Sequence, residues 1–372
     1  MTGNILGERF IVISFGESHG KCIGTIVEGC PAGLKISEQD IQKELDKRKP
    51  GISEIYSSRK EEDKVEIISG VFNGFTTGAP ICMIIWNKYF DSKLYEEYRN
   101  KPRPGHADYT AYIKYGGFND WRGGGRFSGR ITASFIMAGA IAKKLLNEIL
   151  GIKIYAYVIE IGGIKAKIDY TEKLEELTYS NDVRCPDYNA ANKMKEKIIS
   201  IMKNGDSIGG IIECLIKNVP VGLGEPVFSS LESDISKAIF SIPAVKGIEF
   251  GAGFNISRML GSESNDAFII KNGRILTEKN NSGGILGGIS NGMPIIFRIA
   301  IKPTPSISKP QKTIDLSNFN ETEISIKGMH DPCIVPRAVP IVENIVACVL
   351  ADHAIRYNLI PPVIKKERKN EK

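Results

Sequence analysis

The chain has 372 residues, 42% hydrophobic and 25% charged, which is the make-up of a globular protein with one large core or two domains rather than a disordered or fibrous one. Its formal charge of +6 suits an anionic partner, either nucleic acid or small phosphorylated molecules. Seven scattered cysteines without a C-x-x-C argue against a disulfide framework and a zinc site.

The start shows no basic region followed by an apolar stretch and a cleavage site, and the longest clean apolar run, Ile131 to Ala142, is too short to span a bilayer. A cytoplasmic protein without membrane contact is expected. Lys and Arg are dispersed, and no helix-turn-helix, zinc-finger or RNP pattern occurs, which weakens the nucleic-acid reading.

In chain order, strands are predicted over Phe10 to Phe15 and Lys21 to Glu28, the second on its β-branched Thr25, Ile26 and Val27. Ser37 caps a helix carrying Ile41 and Leu45, which Pro50-Gly51 ends. A strand over Ile81 to Trp86 precedes a long helix from Ile131 to Leu150, stopped by Gly151. Then come a strand at Lys153 to Ile161, a helix from Ala190 to Gly205, strands at Ile211 to Ile216, Ile295 to Ile301 and Glu323 to Lys327, and a helix from Pro340 to Asn358. Residues 361–372 form a charged tail. Strands and helices do not alternate one for one, so the expected class is α+β rather than a doubly wound parallel sheet.

Two stretches echo each other. Gly24 to Leu34, with Pro31, is matched by Gly210 to Leu223, with Pro220, and each is followed by a helix carrying Glu, Asp, Ile and Lys at the same spacing: Glu38, Asp40, Ile41 and Lys43, then Glu232, Asp234, Ile235 and Lys237. Gly78-Ala79-Pro80-Ile81 recurs as Gly292-Met293-Pro294-Ile295. A weak internal duplication follows, with pseudo-repeats of about 1–180 and 181–360 in one domain, 1–360.

Gly16-Glu17-Ser18-His19-Gly20 fits the G-x-S-x-G pattern of a hydrolase nucleophile elbow, which needs a helix directly after the serine. A strand follows here instead, so attention moves to His19. His106, in "RPGHADY", is the second histidine in a glycine-flanked loop near a carboxylate, a setting suited to proton transfer near neutral pH. His353, inside the last helix, reads as a packed or surface residue.

"RGGGRFSGR", residues 122–130, sets three arginines around glycines before the long helix, where guanidinium groups and a helix N-terminus can gather an anion, although a plain basic loop has the same composition. "KPTPS" (Lys302, Pro303, Thr304, Pro305, Ser306) suits a phosphate or an ordinary turn. "GMHDPCIVPRAVP" brings His330, Asp331 and Arg337 to the start of the last helix, where Asp331 also suits a cap. Neither dinucleotide nor P-loop glycine pattern occurs.

Taken in series, GESHGKCIGTIVEGCPAG, RPGHADYT, RGGGRFSGRITASFIMAGAIAKK, GGILGGISNGMPI with KPTPS, and HDPCIVPRAVPIVE resemble the chorismate synthase family over nearly the whole chain. The resemblance implies anti-1,4-elimination of phosphate from 5-enolpyruvylshikimate 3-phosphate, with reduced FMN as a transient electron donor. It implies two antiparallel sheets around a helical core, and a homotetramer. By the same resemblance Arg48, Arg130 and Arg337 hold the phosphorylated substrate. Arg126, Phe127, Ser128, Ala244, Gly287, Lys302 to Ser306 and position 329 line the flavin. His19 is the general acid, His106 manages flavin protonation, Asp331 assists, and Ser18 orients His19 or contacts ligand. The chain departs from the family at Met329, where an arginine is usual, and at Glu54, Pro243, Phe127 and Gly129; Arg59 partly replaces the arginine missing at Glu54. Rival readings are another flavin-dependent lyase or reductase on a phosphorylated acid, and a basic nucleic-acid-binding protein.

Overall fold

The computed structural model describes residues 3–49, 54–56, 63–88, 92, 95–326 and 330–364. Among them two five-stranded antiparallel sheets stand out. The first runs Ile5–Leu6, Ile11–Gly16, Cys22–Glu28, Ile81–Trp86, Val65–Ile67 across its width. The second runs Val245–Phe250, Ile295–Ile301, Gly210–Lys217, Lys153–Ile161, Ile164–Lys165. The architecture is mixed α/β with antiparallel sheets, as expected of an α+β chain.

Helix Thr132–Leu150 packs on the first sheet, helix Val335–Arg356 on the second, and the two helices pack on each other. Both are apolar nearly all round, which only a buried helix tolerates. Val335–Arg356 is long and apolar enough to cross a membrane, yet 94% of its most apolar stretch is buried inside the protein. The close approach rests on Gly139, where a side chain would run into the backbone and Cβ of Asn344. One apolar core spans both sheets and both helices.

Local chemistry accounts for the element ends. Ser37 and Asp40 form a reciprocal capping box, with Ser37 N donating to Asp40 Oδ2 at 3.0 Å. Gly151 takes φ +68° and closes helix Thr132–Leu150 by donating to Asn147 O at 3.1 Å. The last helix begins at Val335, earlier than the predicted Pro340, because Pro336 sits in the first turn, where a missing N–H costs nothing. Of the strand expected at Glu323 to Lys327, Glu323 and Ile324 belong to the strand Asn320–Ile324, and Lys327 lies outside the described residues.

The echoing stretches occupy matching places. Cys22–Glu28 and Gly210–Lys217 each lie third across their sheet, and Ile81–Trp86 and Ile295–Ile301 each pair with them. Thr76 Oγ1 donates to Pro31 O (2.6 Å) and accepts from Leu34 N (2.9 Å). Ser290 Oγ does the same with Pro220 O (2.6 Å) and Leu223 N (2.9 Å). Ser37 and Ser230 cap the helices that follow. Lys153–Ile161 already belongs to the second sheet, so the chain has passed from one sheet to the other by Lys153, ahead of the expected pseudo-repeat boundary near residue 180. Within the expected tail, Ile364 N donates to Ala32 O at 2.8 Å, and residues 365–372 lie outside the described residues.

Candidate active site

Both long helices begin at the same place. Ser128 to Thr132 at the start of one, and His330, Asp331, Ile334, Arg337 and Ala338 at the start of the other, line one cavity of about 550 Å³. First-turn N–H groups have no partner within their helix, so two positive helix ends open on one space, an arrangement that favours anions. Side chains add to the field. Among the described residues Arg48, Arg103, Arg126, Arg130, Arg337, Lys246 and Lys302 line the cavity, against the carboxylates Asp63 and Asp331.

Arg48 leaves the last turn of helix Glu38–Arg48. Its Nε donates to Thr132 Oγ1 (3.2 Å), Nη2 to Gly129 O (3.1 Å) and Nη1 to Asp63 Oδ2 (3.2 Å). Arg130 donates through Nη1 to Asp63 Oδ1 (2.9 Å) and through Nε to Asn87 Oδ1 (2.6 Å). Asp63, 5% exposed, thus bridges both guanidinium groups. Burial pushes its pKa up, but the two arginine charges outweigh that and hold it below the usual carboxylate range. Arg337 Nη1 donates to Asp331 Oδ2 (2.5 Å), which pairs the two at the start of the last helix.

His106 lies on the wall between the KPTPS segment and the glycine loop. Its Nδ1 is 2.6 Å from Asp108 Oδ1. Arg103 grips Asp108 through Nε (2.7 Å) and Nη2 (2.8 Å), reaches Ser306 Oγ (3.3 Å), and lies over the rings of Tyr95 and Tyr98. Burial first, then the charges of Arg103 and Lys302, lower the His106 pKa against the opposing pull of Asp108. The carboxyl of Asp108 is itself held low: burial raises it, but the bonds from Arg103 and His106 prevail.

His19 and Ser18 are both 2% exposed and sit one layer behind the wall rather than on it. His19 Nδ1 is 3.0 Å from Ser92 Oγ, and its ring meets Tyr95 edge-on at 5.2 Å. Gly123, at φ +59°, is what separates them from the cavity; a methyl there would strike the His19 ring and come 2.9 Å from Ser18 Oγ. Gly123, Gly124 and Gly125 all take positive φ, which explains three consecutive glycines.

The remaining expected residues divide. Phe127, Ser128, Ala244, Lys302, Thr304, Pro305 and Ser306 line the cavity, as does Pro243. Arg126 lines it too, but its guanidinium donates back to Gly16 O (2.9 Å), Ser14 Oγ (3.1 Å) and Asn4 Oδ1 (2.9 Å), so it braces the first sheet. Pro303 is not on the wall. Gly287 is not either: Gly287 and Gly288, at φ +62° and +85°, make the two-residue turn between Ile285–Leu286 and Ile289–Ser290, and that turn is why glycine stands there. Glu54 is exposed and off the wall, while Met329 and Arg59 lie outside the described residues.

Sequence reasoning missed Asp63, Arg103, Tyr95 and Thr132. Arg103 stood in the quoted RPGHADY stretch, and Thr132 stood two positions past the arginine loop. Asp63 had no local signal, since its partners lie 15 and 67 positions away.

A sequence model of the chorismate synthase family matches residues 10–355. The chorismate synthase of Dehalococcoides mccartyi is 55% identical over 363 residues, covering 98% of this chain and 100% of the relative. That of Korarchaeum cryptofilum is 56% identical over 96% of this chain and 98% of its own. A crystal structure of chorismate synthase superposes with a TM-score of 0.73 at 31% identity, covering 94% of this chain and 93% of the other. On a match of this extent, the chain belongs to the chorismate synthase family of carbon–oxygen lyases, enzymes of the shikimate pathway.

Proposed function

We propose that the chain eliminates phosphate from 5-enolpyruvylshikimate 3-phosphate in the anti-1,4 sense, giving chorismate, with reduced FMN in the same cavity. The observation that carries this reading is the convergence of two helix N-termini and seven cationic side chains on one cavity of about 550 Å³, within the size range of small-molecule sites. The substrate bears a phosphate and two carboxylates, and such groups need cations to lie close together.

The residues present fit the flavin. Ala244, at φ +73°, and the glycine loop let backbone approach a flat ring closely, while Lys302, Thr304, Ser306 and Ser128 offer donors for a phosphate tail and ring edge. When bound, reduced FMN supplies transient electron density that weakens the allylic C–O bond. Position 329 carries methionine, so any cationic contact there is replaced by the arginines and lysines on the wall.

Arg48, Arg130 and Arg337 hold the substrate, and Asp63 keeps the first two in fixed orientation. His19 protonates the departing phosphate past Gly123, with Ser18 beside it, and His106 governs protonation at the flavin with Asp331 nearby. Two antiparallel sheets sandwiching the paired helices, in one domain of two pseudo-repeats, form the frame. The protein works as a cytoplasmic homotetramer without nucleic acid or membrane.

Anaerobic incubation with the enolpyruvyl substrate and pre-reduced FMN tests the reading. Phosphate and chorismate should appear together; no phosphate release with fully reduced flavin contradicts it. Salt-sensitive binding to RNA in place of turnover would favour the nucleic-acid reading.

A further inference from the structure

The cluster of His106, Asp108 and Arg103 specifies more than a position. Asp108 accepts from Arg103 Nε, Nη2 and the Arg103 backbone N (3.0 Å), and is therefore ionised and able only to accept. The 2.6 Å contact with His106 Nδ1 requires a proton on that nitrogen. Arg103 Nη2 stands 3.1 Å from Nδ1 and 3.3 Å from Nε2. Near-equal distances to both nitrogens place Nη2 against the ring rather than on either lone-pair axis, so Arg103 acts on the imidazole as a positive charge, and with Nδ1 protonated toward Asp108 the neutral ring keeps its lone pair on Nε2.

We infer that Asp108 and Arg103 are positioning residues that hold His106 as the neutral imidazole protonated on Nδ1, leaving Nε2 as a proton acceptor at the cavity wall. Each neighbour enforces one half of this state. Asp108 selects the tautomer, and Arg103 opposes a second positive charge on the ring. Lys302, from the KPTPS segment, acts in the same sense as Arg103, and Gly124 of the glycine loop brings backbone but no charge to the ring edge. His106 then receives a proton rather than donating one at the start of a cycle, the complement of the donor role proposed for His19. That use in turnover rests on the reaction proposed above; the tautomer does not.

With four histidines in the chain, imidazole nitrogen NMR on the ligand-free protein reads the state directly. The unsubstituted protein should show His106 neutral and protonated on Nδ1 at pH 7. Arg103→Gln should raise its titration midpoint by about one pH unit, as expected for removal of a like charge within a few ångströms, while Arg103→Lys should leave it low. Asp108→Asn should mix the tautomers and lower the midpoint further. A proton on Nε2 in the unsubstituted protein, or folded Arg103→Gln and Asp108→Asn variants with unmoved midpoints, overturns the inference. If Arg103→Gln does not fold, the tautomer of the unsubstituted protein and the milder Lys302→Gln variant, which should also raise the midpoint, decide. In turnover, the acid limb of kcat/KM should follow the NMR midpoint in Arg103→Gln, and a limb that stays put overturns the role. Failure of the unsubstituted protein to turn over contradicts the reaction and leaves the tautomer standing.

Discussion

At the scale of single residues, the cavity depends on buried carboxylates as much as on arginines. Removing Asp63 leaves Arg48 and Arg130 side by side in a site that excludes water, and breaking a buried pair in this way typically costs about 3–5 kcal/mol. Asp63→Ala should therefore lower stability by that order in denaturant titration. Asp63→Asn, which keeps the shape, should raise KM for the phosphorylated substrate at least about tenfold; an unchanged KM would show that the bridge does not orient these arginines. His19→Gln should lose about 10² to 10⁴ in kcat with a near-native melting temperature, because the packing against Tyr95 is partly kept while the proposed proton donor is gone. Near-normal turnover in a folded variant would remove His19 from acid catalysis. The sequence made His19, His106, Arg130 and Arg337 visible because each sits in a compact motif, whereas Arg48 came into view only through the family resemblance. Asp63 stayed hidden because its role exists only once distant segments meet.

At the scale of elements, glycines set the close approaches. In the loop before helix Thr132–Leu150, Gly123→Ala adds a methyl at positive φ against the His19 ring. It should abolish most activity while leaving the melting temperature within a few degrees, and a fully active variant would mean that the loop does not position His19. In the helix itself, Gly139→Val drives a side chain into the backbone of the facing helix, and such overpacking typically costs about 1–3 kcal/mol, more where backbone must move. Differential scanning calorimetry should show a clear fall in melting temperature. The sequence placed the long helix, its Gly151 stop and the Ser37 cap well, since these follow from local chemistry. It missed Val65–Ile67 and Val245–Phe250, whose strand character comes from pairing with distant neighbours rather than from a periodic pattern of their own. Gly287 carries a local signal of its own, since it stands at positive φ in a two-residue hairpin turn.

At the scale of the whole molecule, the two sheets meet through paired helices whose N-termini point to one cavity, so the same packing that builds the core builds the field. A buried ionic network behind it joins the halves. Lys143 bonds Glu44 and Glu343 at 2.9 Å each, and although burial raises Glu44, the charges of Lys143 and Lys47 bring its pKa down to about 2. Groups with lowered folded-state pKa contribute stability that is present above the unfolded value and lost as pH falls through the folded one. Glu44, Asp63 and Asp108 should therefore cost stability progressively below about pH 4, with a smaller loss from His106 already starting below about pH 6.5. Denaturant unfolding from pH 7 to 3 checks this, and flat stability across that range would contradict the charge arrangement described here.

The most direct test of the central claim is the stoichiometry of anaerobic turnover with pre-reduced FMN, with phosphate, chorismate and the flavin's redox state followed together. One chorismate should form for each phosphate, and the flavin should end as reduced as it began. Phosphate loss accompanied by matching oxidation of the flavin, or reduced flavin without phosphate release, would contradict it.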